Sequence, residues 1–214
     1  MKLLKFIILC LCLLLIFAGH STAKEKTEFK FTVLGGLDVL GEGDQESEYI
    51  ELDGSDDVNT GITIGVESAM QLENNFNVGL GFRYLLPRET DNDDAPVEIS
   101  GIITYLLFQL NIPADGEVKP YLVGHIGYNI PILDTSEAEE YLEEETPVVN
   151  PSFDATGGLY FGFGAGLYFT EQVGLQLLYG ISYSETQFTS DNFASDDMDN
   201  EYSRLTIAVT YTFN

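Results

Sequence analysis

Apolar and polar residues alternate with period two along most of this chain, and helical periodicity is almost absent. Eight segments carry the alternation: about Phe29–Leu40, Gly61–Leu72, Phe76–Leu86, Gly101–Ile112, Tyr121–Ile130, Gly158–Phe169, Val173–Ser184 and Arg204–Phe213. Most are 10 to 12 residues long. Soluble strands are usually ~5–6 residues. A strand that crosses a bilayer needs ~9–11.

The connections alternate in length as well. Glu73–Asn75, Pro113–Pro120 and Thr170–Gln172 are short, whereas Gly41–Thr60, Pro87–Ser100, Pro131–Gly157 and Glu185–Ser203 are long. An antiparallel meander puts short turns at one end and long loops at the other. The two faces of the strands separate sharply. One carries Val33, Leu37, Ile62, Ile64, Met70, Phe82, Leu106, Ile126, Phe163, Leu177 and their like, with no charged position. On that face the only glycines are Gly35 and Gly124. The other carries Lys30, Asp38, Glu67, Arg83, His125 and Arg204, with Thr, Gln, Asn and many glycines. Its least polar stretch is Ile103, Tyr105 and Leu107 in the fourth segment.

A soluble barrel places apolar residues inside and polar ones outside. Here the bulky uncharged face reads as lipid-facing and the glycine-rich polar face as a narrow lumen. The predicted fold is therefore all-β: an eight-stranded antiparallel up-and-down transmembrane barrel. A two-sheet soluble sandwich is the competing architecture, but its strands are usually shorter and its outer faces carry Lys and Glu.

Charge sharpens the picture. The chain has 35 acidic and 9 basic residues, a formal net charge of −26. Nucleic acid is excluded as a partner, because binding it requires a basic footprint. Residues 1–23 read as a secretory signal peptide: Lys2 and Lys5 precede an apolar run, and Ser21-Thr22-Ala23 supplies small residues at the cleavage site. The run is too short for the ~20 residues of a spanning helix. Cleavage before Lys24 would remove both cysteines, His20 and two lysines but no acid, leaving residues 24–214 as one barrel domain with a net charge of −28. His125 would be its only histidine.

Tyr84, Tyr128, Tyr179 and Tyr183 fall towards the long-loop ends of the apolar face. Phe29, Phe76, Phe108, Phe169, Tyr211 and Phe213 fall towards the short turns. Two aromatic girdles suit two membrane interfaces. The final segment alternates strictly, with Leu205, Ile207, Val209, Tyr211 and Phe213 on one face and Asn214 after them. With Gly162-Phe-Gly164-Ala-Gly166-Leu-Tyr168 and the strand from Val173, it resembles the small eight-stranded outer-membrane barrels (OmpA transmembrane domain, OmpX, OmpW and opacity-protein types). The resemblance covers the mature chain in architecture. It implies a bacterial outer-membrane location, outer-membrane lipid around the barrel and a terminal strand read by the barrel-assembly machinery. A porin-like small channel is a further implication of the OmpW type.

The candidate chemistry is modest. Glu67 is expected opposite Gly81 and diagonal to Arg83, with Arg204, Asp38 or Lys30 extending a lumen charge network. His125 is the only candidate imidazole base, and a lipid hydrolase would need a serine and a carboxylate beside it. Ser182 and Ser184 lie two strands away, and Gly127 stands two residues after His125. Acids crowd the loops: Glu42, Asp44, Glu46, Glu48, Glu51, Asp53, Asp56 and Asp57 in the first; Asp134, Glu137, Glu139, Glu140, Glu143, Glu144, Glu145 and Asp154 in the third; Asp191, Asp196, Asp197 and Asp199 in the fourth. Divalent cations or host and surface ligands are conceivable partners there. No Asp-x-Asp-x-Asp-Gly spacing occurs, so no metal site and no cofactor is assigned. The reading is a monomeric, non-enzymatic surface barrel presenting acidic loops, with a narrow channel as the alternative and a lipid-modifying enzyme third.

Overall fold

The structure is a computed structural model. It describes residues 29–46, 56–57, 60–73, 75–89, 98–136, 150, 152–191 and 196–213. The signal-peptide segment, Glu48, Glu51 and Asp53 of the first loop, and Glu137, Glu139, Glu140, Glu143, Glu144 and Glu145 of the third lie outside the described residues. The strands are β1 (Phe29–Glu46), the two-residue β2 (Asp56–Asp57), β3 (Gly61–Glu73), β4 (Phe76–Glu89), β5 (Glu98–Asn111), β6 (Lys119–Asp134), β7 (Ser152–Tyr168), β8 (Val173–Thr189) and β9 (Asp196–Phe213). The eight long strands pair antiparallel in chain order, and β1 pairs with β9 to close the ring. Closure runs from Phe31 opposite Phe213 to Asp38 opposite Thr206, then past a bulge to Glu46 opposite Asp199. The Thr32 and Thr212 hydroxyls meet across the seam at 2.9 Å. Closing the sheet leaves no long unpaired edge, which a lipid environment requires.

Side-chain direction follows the alternation. Phe163 (63% exposed), Val209 (57%), Leu37, Ile64, Ile126 and Leu177 point outward. A side chain added at Gly35 or Gly124 would meet nothing, so both backbones look onto open surroundings. Met70 has outward parity but is buried, between its register partners Phe29 and Val78. Ile103, Tyr105 and Leu107 of β5 do face inward, where they pack with Tyr121, Val123, Tyr160 and Leu178. The lumen is thus partly an apolar core, less polar than the alternation implied.

Glycines make that packing fit. A Cβ at Gly81 would run into the Tyr105 ring, and one at Gly166 into the Tyr121 ring. In each pair the bare backbone receives the ring of its register partner on the adjacent strand. In an eight-stranded barrel this is how large side chains fill so narrow a bore.

The strands run longer than the hydrophobic pattern. β1 continues to Glu46, β7 begins at Ser152, β8 ends at Thr189 and β9 begins at Asp196. Glu42, Asp44, Glu46, Asp134, Asp154, Asp196, Asp197 and Asp199 therefore lie on strands and not in loops. The alternation ends at the edge of the apolar band, while backbone pairing continues into water. Three ladders also shift register: β1 between Asp38 and Leu40, β4 between Leu85 and Arg88, and β7 between Gly157 and Tyr160. A further shift, between Gln71 and Glu73, pairs Glu73 with Phe76 at the tight turn. Glu67 nonetheless stands opposite Gly81.

Candidate functional site

Three clusters fill the lumen. Nearest the short turns, the Tyr121 and Tyr168 rings lie 4.6 Å apart, and Gln109 Nε2 donates to Tyr168 at 3.4 Å. The middle cluster centres on Arg83. Its Nε donates to the Tyr105 hydroxyl at 2.9 Å, and its Nη2 donates to Gln176 Oε1 at 3.1 Å. Tyr105 in turn donates to Glu67 Oε1 at 2.7 Å, and Arg83 Nη2 lies 3.4 Å from the same oxygen. β4 and β8 are four places apart in a ring of eight, so the Arg83–Gln176 bond spans the bore.

His125 joins this cluster by stacking. Its ring lies 4.2 Å from that of Tyr105, and its Nε2 is 3.9 Å from Glu67 Oε1. That is beyond hydrogen-bond length. Neither ring nitrogen has a partner among the described residues. No serine bonds to it, so the geometry of a nucleophile–base pair is not assembled.

The third cluster lies towards the long-loop end. Asp38 accepts from Thr63 at 2.8 Å and Thr206 at 2.5 Å, and Arg88 Nη1 stands 3.7 Å from it. Arg88 was not among the sequence candidates, because Pro87–Ser100 reads as a loop. The bulge after Leu85 inserts one residue, reverses the parity and turns Arg88 inward. It lies over Gly61, where a side chain would collide with it. The signal in the sequence was Pro87, which cannot donate to a ladder and so marks an irregular position in a strand.

Of the sequence candidates, the structure brings Glu67, Arg83 and His125 together in one cluster and places Asp38 in another. Arg204 lies beyond them, 5.9 Å from the Tyr160 ring centre and 6.0 Å from that of Tyr202. Lys30 is half-buried and forms no ion pair among the described residues, so it joins neither cluster. The single network expected from the sequence is therefore two, separated along the bore. Leu205, Ile207, Val209, Tyr211 and Phe213 form the outward face of the closing strand. Among the described residues no group of three His, Cys, Asp or Glu side chains is placed to hold a metal ion.

At the loop end the register sets acids beside acids. Glu185 is opposite Asp199, which is opposite Glu46 on its other side. Glu201 lies between Tyr183 and Asp44. On the outer face below them, Tyr179 packs on Phe163 at 5.4 Å and Tyr183 on Phe161 at 6.5 Å. Near the short turns, Tyr211 and Phe213 lie 4.8 Å apart, with Phe31 6.0 Å from Phe213.

An uncharged exterior, aromatic residues towards both ends of it and a closed interior of mixed polar and apolar side chains define an integral membrane β-barrel of the outer-membrane type. The family model for the outer membrane protein beta-barrel domain matches residues 8–213, and the chain belongs to that family. Among solved structures it resembles the outer membrane protein OprG from Pseudomonas aeruginosa (14% identity, 88% of this chain and 97% of that one, TM-score 0.55). It also resembles the outer membrane protein AlkL (12%, 91% and 94%, TM-score 0.54) and Neisserial surface protein A (14%, 88% and 100%, TM-score 0.50). At these identities the likeness is one of fold. No curated protein sequence matches the chain.

Proposed function

We propose that this protein is a non-enzymatic membrane anchor whose plugged barrel holds an acidic outer end at the cell surface. The observation that carries the reading is the Arg83–Gln176 bond across the bore, braced by Tyr105 and Glu67. With Tyr105, Leu107, Tyr160 and Leu178 buried in the same lumen, a side chain held between opposite walls supports a plugged bore. The acid-on-acid pairs along β8, β9 and β1 concentrate negative charge beyond the apolar band. Like charges directly opposite on a sheet are destabilising, so their placement there favours a role in meeting solvent, divalent cations or surface ligands. Signal cleavage before Lys24, insertion through the β9 strand by the barrel-assembly machinery, and a monomeric barrel in outer-membrane lipid complete the proposal.

Single-channel recording in planar bilayers tests it. The wild-type protein should give no stable conductance steps, and Arg83→Ala should open them. Stable steps from the wild type would overturn the plug and favour a narrow channel for small solutes. Fatty-acid release from envelope lipid, lost in His125→Ala, would overturn the non-enzymatic reading.

A further inference from the structure

The loop-side end of the lumen holds more positive than negative charge. Arg88 and Arg204 are both buried, at 7% and 3% exposure, and both guanidiniums lie within 6.0 Å of the Tyr202 ring centre. The buried carboxylates among the described residues are Asp38 and Glu67. Asp38 is held by Thr63, Thr206 and Arg88, and Glu67 by Tyr105 and Arg83. That leaves Arg204 with no carboxylate within ion-pair distance among the described residues. Four donors here also have no acceptor among the described residues: Arg204 Nη1, Arg88 Nε and the hydroxyls of Tyr202 and Tyr160. Tyr160 lies under Arg204, so all four belong to one chain of contacts, Arg88–Tyr202–Arg204–Tyr160.

An uncompensated buried cation is strongly unfavourable. Aromatic faces offset only part of that cost. Water could accept from the idle donors but would not balance the charge. Nor does the backbone beside Arg204 supply a carboxylate: its register partners are Gly41 on β1 and Gly180 on β8. We infer that Arg204, Arg88, Tyr202 and Tyr160 form a binding site for a small oxyanion, a carboxylate or phosphate group, inside the loop-side mouth of the barrel. The guanidinium fork suits two oxygens at once, and phenol hydroxyls complete the shell. Tyr202 is only half-buried, so the site is reached from the loop end. The surrounding acidic surface selects against bulky polyanions and leaves small ones.

The test is a titration of the refolded full mature chain, in a phosphate-free detergent, followed by NMR of its arginine Nε–H groups. Inorganic phosphate, acetate and chloride are added separately at constant ionic strength. Phosphate and acetate should each shift two arginine signals saturably, and chloride should not. Arg204→Gln should weaken the apparent affinity by about tenfold or more, the loss expected for charge-assisted bonds. Arg88→Gln should weaken it less. Lys30→Gln, at the other end of the barrel, should leave it unchanged. If Arg204→Gln does not refold, Arg204→Lys keeps the charge without the fork and should still bind more weakly. A wild-type protein with no saturable response overturns the site. An equal response to chloride overturns the oxyanion assignment, and undiminished binding in both Arg204 variants overturns the residues.

Discussion

The Tyr105 ring fills the space that a side chain at Gly81 would occupy on the neighbouring strand. The contact fixes where the Tyr105 hydroxyl sits, and that hydroxyl links Arg83 to Glu67. A Gly81→Ala change must therefore displace the ring and loosen the middle cluster. Overpacking of this kind costs ~1–3 kcal/mol. Gly35→Ala is the matched control, since its methyl would meet nothing. Urea unfolding in liposomes, followed by the heat-dependent gel shift, should lower the midpoint for the first and leave the second near wild type.

Arg83 and Glu67 are buried, and the Tyr105 hydroxyl bonds to both. Removing Arg83 alone strands the Glu67 carboxylate in the bore, with Tyr105 as its remaining donor. Loss of one member of a buried pair costs ~3–5 kcal/mol. Arg83→Met should therefore destabilise strongly in the same unfolding assay. Arg83→Met combined with Glu67→Gln should recover much of the loss, because no unpaired charge remains. A double variant as unstable as the single one would show that packing, not charge, is what Arg83 supplies.

Arg88 is turned onto Asp38 by the β4 bulge. Asp38 keeps its two threonine donors when Arg88 is lost. Arg88→Ala should thus cost less than Arg83→Met. The alanine variant should nevertheless become more stable when Asp38→Asn is added. Equal midpoints for Arg88→Ala with and without Asp38→Asn would rule out an energetic role for the ion pair.

The lipid face was legible in the sequence because a membrane imposes one rule at every outward position. Phe163, Leu177 and Val209 obey it, and so do the two outward glycines, Gly35 and Gly124. Glu67 opposite Gly81 was legible for the same reason, since register follows from alternation once a tight turn is fixed. Arg88 was not, because one inserted residue in β4 reverses the parity that alternation relies on. The outer stretches of β1, β7, β8 and β9 were hidden differently. Glu185 and Gln187 are exposed, so no hydrophobic pattern marks the backbone pairing that holds them to Asp199 and Asp197. Which charged residues share a cluster depends on how far strands stagger around the ring, and a single strand's sequence carries no record of that.

Asp134 ends β6 beyond the apolar band, where the Ser136 hydroxyl donates to it at 2.5 Å and the Ser136 backbone N–H at 3.3 Å. These bonds hold its carboxyl below the usual range, with the hydroxyl the larger cause. A depressed folded-state pKa contributes stability above the unfolded value of ~3.9. That contribution is lost as pH falls through the folded value. An NMR titration should find Asp134 ionising below neighbouring exposed carboxylates. Ser136→Ala should raise it towards the ordinary value, and an unmoved titration would mean that the hydroxyl bond does not persist in solution.

Phe163 on the outer face is 63% exposed and lies between its register partners Gly124 and Tyr179. In water such exposure would invite aggregation; in lipid it is where an apolar ring belongs. Phe163→Arg puts a charge on that face. Such a charge costs ~2–4 kcal/mol at the bilayer midplane and little near the interfaces. The same change at Glu185, beyond the apolar band on β8, should cost almost nothing, and it relieves the repulsion from Asp199. Folding into liposomes, compared for the two variants at equal lipid ratio, should separate them clearly. Equal stabilities would mean that Phe163 does not face lipid, and the assignment of the uncharged face to the membrane would fall with it.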